Sequence, residues 1–251
     1  MILLCNDDGF NAEGLRVLRK ELLALDDVTI VAPEKEQSAM GHAITLNQPL
    51  KVRRVEEDGE FIGYAVEGTP ADCVKLAITV LLEKPPQLVV SGINLGGNLG
   101  ICALYSGTVS AATESMVMGV PSIAVSLDSY ENPDFKPAAS FTRKFIPQLL
   151  EKSLPEGVFL NINVPAVHES EFAGVAITRQ GKSRVIEEFD CRKDPRGKTY
   201  YWLAGEMLFE ETEEGADCVM IAKNYISVAP IHFDLTHYPS LDNLKDWKIK
   251  F

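Results

Sequence analysis

Apolar and polar positions follow two rhythms in the first part of this chain. Ile2–Cys5 is a short, unbroken apolar run; the polar stretch "NDDGFN" follows, and then Leu15, Leu18, Leu22 and Leu25 recur every three or four residues. An uninterrupted run of that length predicts a strand buried on both faces. The wider spacing predicts a helix over 13–25 with one apolar face and Asn11 as its N-cap. Residues 28–32 are a second apolar run, so residues 1–33 have the order and length of a β-α-β unit with parallel strands. Such crossovers are right-handed, which sets the carboxyl ends of both strands on one edge of the sheet.

Residues 43–66 change character. Strand-like runs containing Thr45, Leu46, Leu50, Val52 and Val55, then Phe61, Ile62, Tyr64 and Val66, flank the turn Glu57-Asp58-Gly59-Glu60 and predict a β-hairpin inserted into the alternating chain. Helical order returns with Thr69 as a capping residue and Pro70 at the first helical position, and Pro85-Pro86 stops it after residue 82. A strand at 87–91, a glycine-rich loop from Gly92, a helix at 108–118 closed by Gly119 and a strand at 121–127 come next. A helix at 138–152, despite Pro147, and a strand at 158–164 complete an α/β core over 1–171. Beyond residue 172 the runs at 174–178, 198–203 and 218–228 are separated by charged, turn-rich pieces. They predict a β-rich extension over 172–251, whose hairpin arms bury little surface alone and are expected to pack on another subunit.

Composition narrows the function. With 251 residues, 46% of them hydrophobic, the chain can build a full core without disulfide or metal staples. No run approaches the roughly 18 to 20 apolar residues of a membrane span, and no secretory leader pattern opens the sequence, so a cytoplasmic location without membrane attachment is expected. Five widely separated cysteines lack the paired spacing of a zinc site and read as buried thiols in a reducing compartment. The net charge of −12 argues against nucleic acid as a partner, because gripping phosphates needs clustered Lys and Arg. An anionic substrate would have to be attracted locally.

In open α/β sheets ligands sit outside the carboxyl ends of the strands. Residues 6–11, 34–42 and 91–108 meet that description. Asp7 and Asp8 suit a strand-to-helix turn near a helix dipole, yet two like charges about 4 Å apart at an effective dielectric of about 20 repel by roughly 4 kcal/mol. No ammonium or guanidinium nearby in sequence offsets them. A divalent cation does so economically, and oxygen donors select Mg²⁺ or Mn²⁺ over zinc or copper. "SGINLGGNLG" lacks the G-x-G-x-x-G spacing of a dinucleotide fold and instead brings a closely approaching backbone with Asn94 and Asn98. In "YSGTVSAATE", Ser106, Gly107 and Thr108 open a helix, which reads either as simple capping or as a phosphate cradle of free amides. Gly181-Lys182-Ser183 and Gly197-Lys198-Thr199 lack the upstream glycine of a P-loop. His232, Asp234 and His237 read as a hydrogen-bonded loop before a second metal site, and His42, near Ser38, as a solvated loop histidine.

"ILLCNDDG", "EQSAMGHAITL", "EGTPADCV", "VSGINLGGNLG", "YSGTVSAATE", "NINVP" and "TRQG" occur in an order and spacing that resembles the SurE family, the survival protein E nucleotidases. Cys5 stands where that family usually has Thr or Ser, and Ala39-Met40 where Ser38 is often followed by Gly. The resemblance implies a Rossmann-like, three-layer α/β fold with a parallel sheet and a β-rich C-terminal extension exchanged between subunits of a homodimer or homotetramer. It implies metal-dependent hydrolysis of nucleoside 5′- and 3′-monophosphates, with short polyphosphate as a further substrate. Residue by residue, it puts one divalent metal ion, Mg²⁺ or Mn²⁺, on Asp7, Asp8, Ser38 and Asn94, and phosphate on Asn98, Ser106, Gly107 and Thr108. Asp8 and Asn98 are the expected catalytic residues. Two rivals remain: a phosphatase with a covalent aspartyl-phosphate, which prefers Asp-x-Asp to adjacent acids, and a noncatalytic nucleotide-binding module, in which paired carboxylates would repel the ligand.

Overall fold

The four residues of β1 (Ile2–Cys5) are all buried, and they divide the core between them. Ile2 and Leu4 pack with α1 (Glu13–Leu22) on one face of the sheet; Leu3 and Cys5 pack on the other, with Val74 and Ala111. This computed structural model describes residues 1–182, 184–208, 212–247 and 249, so Ser183 of the Gly181-Lys182-Ser183 tripeptide lies outside the described residues. The chain continues through β2 (Val28–Pro33), β3 (Val52–Glu57), β4 (Glu60–Val66), α2 (Pro70–Leu76), β5 (Leu88–Leu95), α3 (Gly107–Val117), β6 (Ser122–Asp128), α4 (Lys136–Lys152), β7 (Val158–Pro165) and β8 (Gly174–Ile177). It ends with β9 (Arg184–Lys193), β10 (Thr199–Leu208), α5 (Asp217–Ala222), β11 (Tyr225–His232) and α6 (Pro239–Asp246).

Among the described residues, nine strands form one sheet in the order β3-β4-β2-β1-β5-β6-β7-β11-β8. The run from β4 to β7 is parallel; β3 and β11 join antiparallel to β4 and β7. α1 and α4 cover one face, α2 and α3 the other, which gives three layers, with the carboxyl ends of β1, β2 and β5 on a common edge. The expected boundary at 171/172 falls between β7 and β8. Beyond it, β8 and β11 belong to the main sheet, while β9 and β10 form a separate two-stranded ribbon.

Several expected boundaries move for identifiable reasons. α1 begins at Glu13 as expected, but its N-cap is Ala12, without a side-chain bond, and Asn11 Oδ1 accepts from Arg16 instead. It ends at Leu22, and Leu25, the last of the periodic leucines, is 38% exposed in the following turn. The hairpin begins only at Val52, because the backbone before it bonds elsewhere: Thr45 N–H and Oγ1 donate to Asp72, and Ala43 O accepts from Thr69. It is not a separate insert, since β4 pairs with β2. α2 turns into a π-helical stretch at Ala77–Leu81. The run 218–228 divides into α5 and β11; Cys218 and Ile221, three apart, are both buried and mark a helical period.

Candidate active site

β5 carries the first surprise of the site, because it does not stop at Ser91. Gly92 takes φ +134°, and a Cβ there would stand 2.2 Å from Val125 O, so only glycine lets the strand continue against β6. The register with β6 shifts between Ser91 and Asn94, and pairing resumes at Asn94. Asn94 therefore projects from a strand end, not from a loop. Its Nδ2 donates to Gly96 O at 2.7 Å, which turns the amide so that Oδ1 lies 3.5 Å from Thr108 Oγ1.

Asp7 and Asp8 leave β1 directly opposite. Asp7 is 4% exposed, and its Oδ1 accepts from Thr108 Oγ1 in the first turn of α3. Gly107 packs onto Asp7 so closely that a Cβ would lie 2.6 Å from Asp7 Cβ. Asp8 is half-buried, and its Oδ2 accepts from Leu95 N–H at 3.3 Å. Burial raises the carboxyl pKa of Asp7, against the lowering effect of the Thr108 bond. Burial, then the Asp7 charge, pushes Asp8 up to about 7. Among the described residues neither carboxylate has an ion pair. Two desolvated acids with no cationic side chain, beside an amide oxygen, form a donor set that fits a hard divalent cation.

Ser106 is the N-cap of α3, with its Oγ accepting from Val109 N–H at 3.1 Å, so the capping role is real and the first amides of the helix start beside Asp7. Ser38 is tied to this group only through its neighbour. Gln37 N–H donates to Asp7 O at 2.8 Å, while Ser38 Oγ turns to Glu36 Oε1 at 2.6 Å. Asn98 is buried, and its bonds run away from the acids: Nδ2 donates to Ser126, and its backbone is held by Asn161 and Asn163. Asp7, Asn94, Gly107 and Thr108 are thus linked by direct contacts, Asp8 joins them beside Asp7 and through Leu95 N–H, Ser38 and Ser106 lie one residue away and Asn98 on an adjoining loop.

That loop depends on residues to which sequence reading gave no role. Asn161 Nδ2 donates to Asn98 O, Asn163 Oδ1 accepts from Asn98 N–H, and Gln180 Nε2 donates to Gly100 O. Buried Asp217 accepts from Gly100, Gly181 and Cys218 N–H at 2.9, 2.9 and 2.7 Å. Asparagines two apart in the apolar strand "NINVP" were the available signal. The late histidines do not converge: Asp234 accepts from Thr236 and Tyr238, and His237 Nδ1 meets Ser240. Among the described residues no group of three His, Cys, Asp or Glu side chains could hold a metal ion, and no helix is long and apolar enough to cross a membrane.

A family model described as "Survival protein SurE" matches residues 2–187. The chain belongs to the SurE family. It is 56% identical over 247 residues to the 5′-nucleotidase SurE of Syntrophus aciditrophicus, covering 97% of this chain and 92% of that one. It is 49% identical to the 5′-nucleotidase SurE of Syntrophobacter fumaroxidans, covering 99% of both. The crystal structure of the SurE protein from Aquifex aeolicus superposes with a TM-score of 0.87 at 42% identity, covering 99% of each chain. The paired acids, the glycine-rich strand end and the start of α3 all lie inside the segment matched by the SurE family model.

Proposed function

We propose that this SurE-family chain is a 5′-nucleotidase: a phosphatase, dependent on Mg²⁺ or Mn²⁺, that releases phosphate from nucleoside 5′- and 3′-monophosphates and from short polyphosphate. The observation that carries this reading is the desolvated Asp7–Asp8 pair, without a cationic side chain among the described residues, set against the N-terminus of α3. The names of its relatives support the same activity.

Asp7, Asp8, Asn94 and Ser38 would hold the cation, with Ser38 turning from Glu36. When bound, the ion supplies Lewis acidity toward a phosphoryl oxygen and acidifies a water. The protein supplies the rest. Thr108, through its hydroxyl and backbone N–H, and Gly107, through its backbone N–H, fix the Asp7 carboxylate in one orientation, and the positive end of the α3 dipole beside it attracts phosphate oxygens. Asn98 keeps a second amide N–H for phosphate while Ser126 takes the first. Asp8, the less buried acid, orients the attacking water and accepts its proton. The enclosure of Asp7 by Gly107 and Thr108 disfavours it as a covalent nucleophile. We assign the protein to the cytoplasm and to a homodimer or homotetramer built through its C-terminal ribbon.

Phosphate release over a panel of nucleoside 5′- and 3′-monophosphates, with Mn²⁺, with Mg²⁺ and in excess EDTA, tests the reading. Metal-dependent turnover, abolished by EDTA and reduced at least about 100-fold in Asp8→Asn, is expected. Full turnover in EDTA, or in the variant, would overturn it.

A further inference from the structure

Glu114 is 4% exposed in the body of α3, two turns beyond Thr108, and both of its carboxylate oxygens are engaged by other elements. His42 Nε2 stands 2.8 Å from Oε2, and Lys75 Nζ of α2 stands 2.5 Å from Oε1. The His42 bond is the largest influence holding the Glu114 carboxyl below the usual glutamate range, so the oxygen facing His42 is an acceptor and the ring nitrogen donates. His42 is exposed, as expected of a loop histidine, but one ring nitrogen is tied to a buried carboxylate. It is the fastening point of the loop that carries Ser38.

The path of that loop explains what the fastening does. It leaves β2 and is pinned to Asp7 O through Gln37 N–H. It then arches through Ser38, Ala39 and Met40, with Ala39 at φ +58°, and returns just ahead of α3, where Gly41 N–H donates to Tyr105 O at 2.9 Å. His42 closes the return onto Glu114, and Ala43 and Thr45 continue onto Thr69 and Asp72. Ser38 and Met40 are exposed, so the arch has few contacts of its own and takes its position from its two feet. At 1.5 Å per residue, Thr108 and Glu114 are about 9 Å apart along the helix. α3 thus holds Asp7 at its first turn and the Ser38 loop further along.

We propose that His42 is a positioning residue for the cation site: its hydrogen bond to buried Glu114 sets the Ser38 arch so that the Ser38 hydroxyl can join Asp7, Asp8 and Asn94 around one divalent ion. The inference rests on the cation reading above. Partners that orient ligands in this way typically matter by about 10- to 100-fold in metal affinity.

Mn²⁺ affinity, measured by calorimetry on the full chain without substrate, tests it apart from activity. Ser38→Ala and His42→Ala should each weaken binding, the latter by about 10-fold. His42→Gln, which keeps a donor at nearly the same reach, should bind close to wild type. If His42→Ala fails to fold, His42→Leu keeps bulk without the donor and should show the same loss. Unchanged affinity in His42→Ala or His42→Leu, with a loss in Ser38→Ala, would overturn the positioning role alone. Equal losses in His42→Gln and His42→Ala would overturn the hydrogen bond as its basis. Unchanged affinity in Ser38→Ala would overturn Ser38 as a ligand, and this inference with it.

Discussion

Gly107 shows how much one missing side chain can decide. Replacing glycine by alanine inside a helix ordinarily gains up to about 1 kcal/mol. Here the new methyl would stand 2.6 Å from Asp7 Cβ and 2.9 Å from Asp7 Oδ2, and overpacking of a tight contact costs about 1–3 kcal/mol. The clash outweighs the propensity gain. Gly107→Ala is expected to lower stability modestly while removing most Mn²⁺ binding, because relief comes by turning the Asp7 carboxylate; calorimetry and thermal melts on the same sample separate the two. Wild-type affinity would mean that Asp7 is not held there as a ligand. A second residue-scale expectation concerns acid. Glu114 has a lowered folded-state pKa, so the stability it contributes is present above the ordinary glutamate range and is lost as pH falls through the folded value. Glu114→Gln should be less stable than wild type at neutral pH, with the gap closing in acid; a gap that widens below pH 4 would contradict the sign. The paired acids were legible in sequence because adjacent like charges at a strand end demand an explanation. Glu114 was not, because its partners lie 72 and 39 positions away on other elements and no local pattern announces them.

At the scale of elements, the core strands and helices were readable from periodicity, and what escaped was decided by tertiary bonds. β5 continues past Ser91 only because Gly92 lets it approach β6, and the backbone of residues 43–45 is claimed by the start of α2. The loop at 96–100 is the functional case. Its conformation depends on Asn161, Asn163, Gln180 and Asp217, all at least 60 positions downstream. Asp217→Ala would strip three backbone N–H groups of their acceptor at once, and each buried donor left unpaired costs about 1–3 kcal/mol. A loss of about 3 kcal/mol or more in urea unfolding is expected, with a smaller loss for Asp217→Asn, which keeps one acceptor oxygen. Equal stability of wild type and Asp217→Ala would show that the loop is held by its glycines and not by this carboxylate.

For the molecule as a whole, the question is what covers the ribbon. β9 and β10 pair along their full lengths, with Leu203 opposite Phe189 and Tyr201 opposite Cys191, so these side chains share one face by the two-residue alternation of strands. On that face Phe189, Tyr201 and Leu203 are 63%, 64% and 62% exposed in the single chain. A two-stranded ribbon is at best marginally stable by itself, and an apolar face of this kind is normally buried by something. A second copy of the chain is the occupant that needs no further component, and closed symmetric assemblies are the common outcome. Light scattering at micromolar concentration should therefore give a dimer or tetramer mass. Tyr201→Asp combined with Leu203→Asp should reduce that mass by at least half and leave the circular dichroism of the α/β core unchanged, since both side chains are largely exposed in the single chain. A wild-type chain that scatters as a monomer, or a double variant that keeps its assembly, would remove the ribbon as the interface. Because the acids of the cation site come from β1 and the ribbon lies outside the nine-stranded sheet, Mn²⁺ affinity should survive the loss of assembly, which separates the architecture of the oligomer from the chemistry of the site.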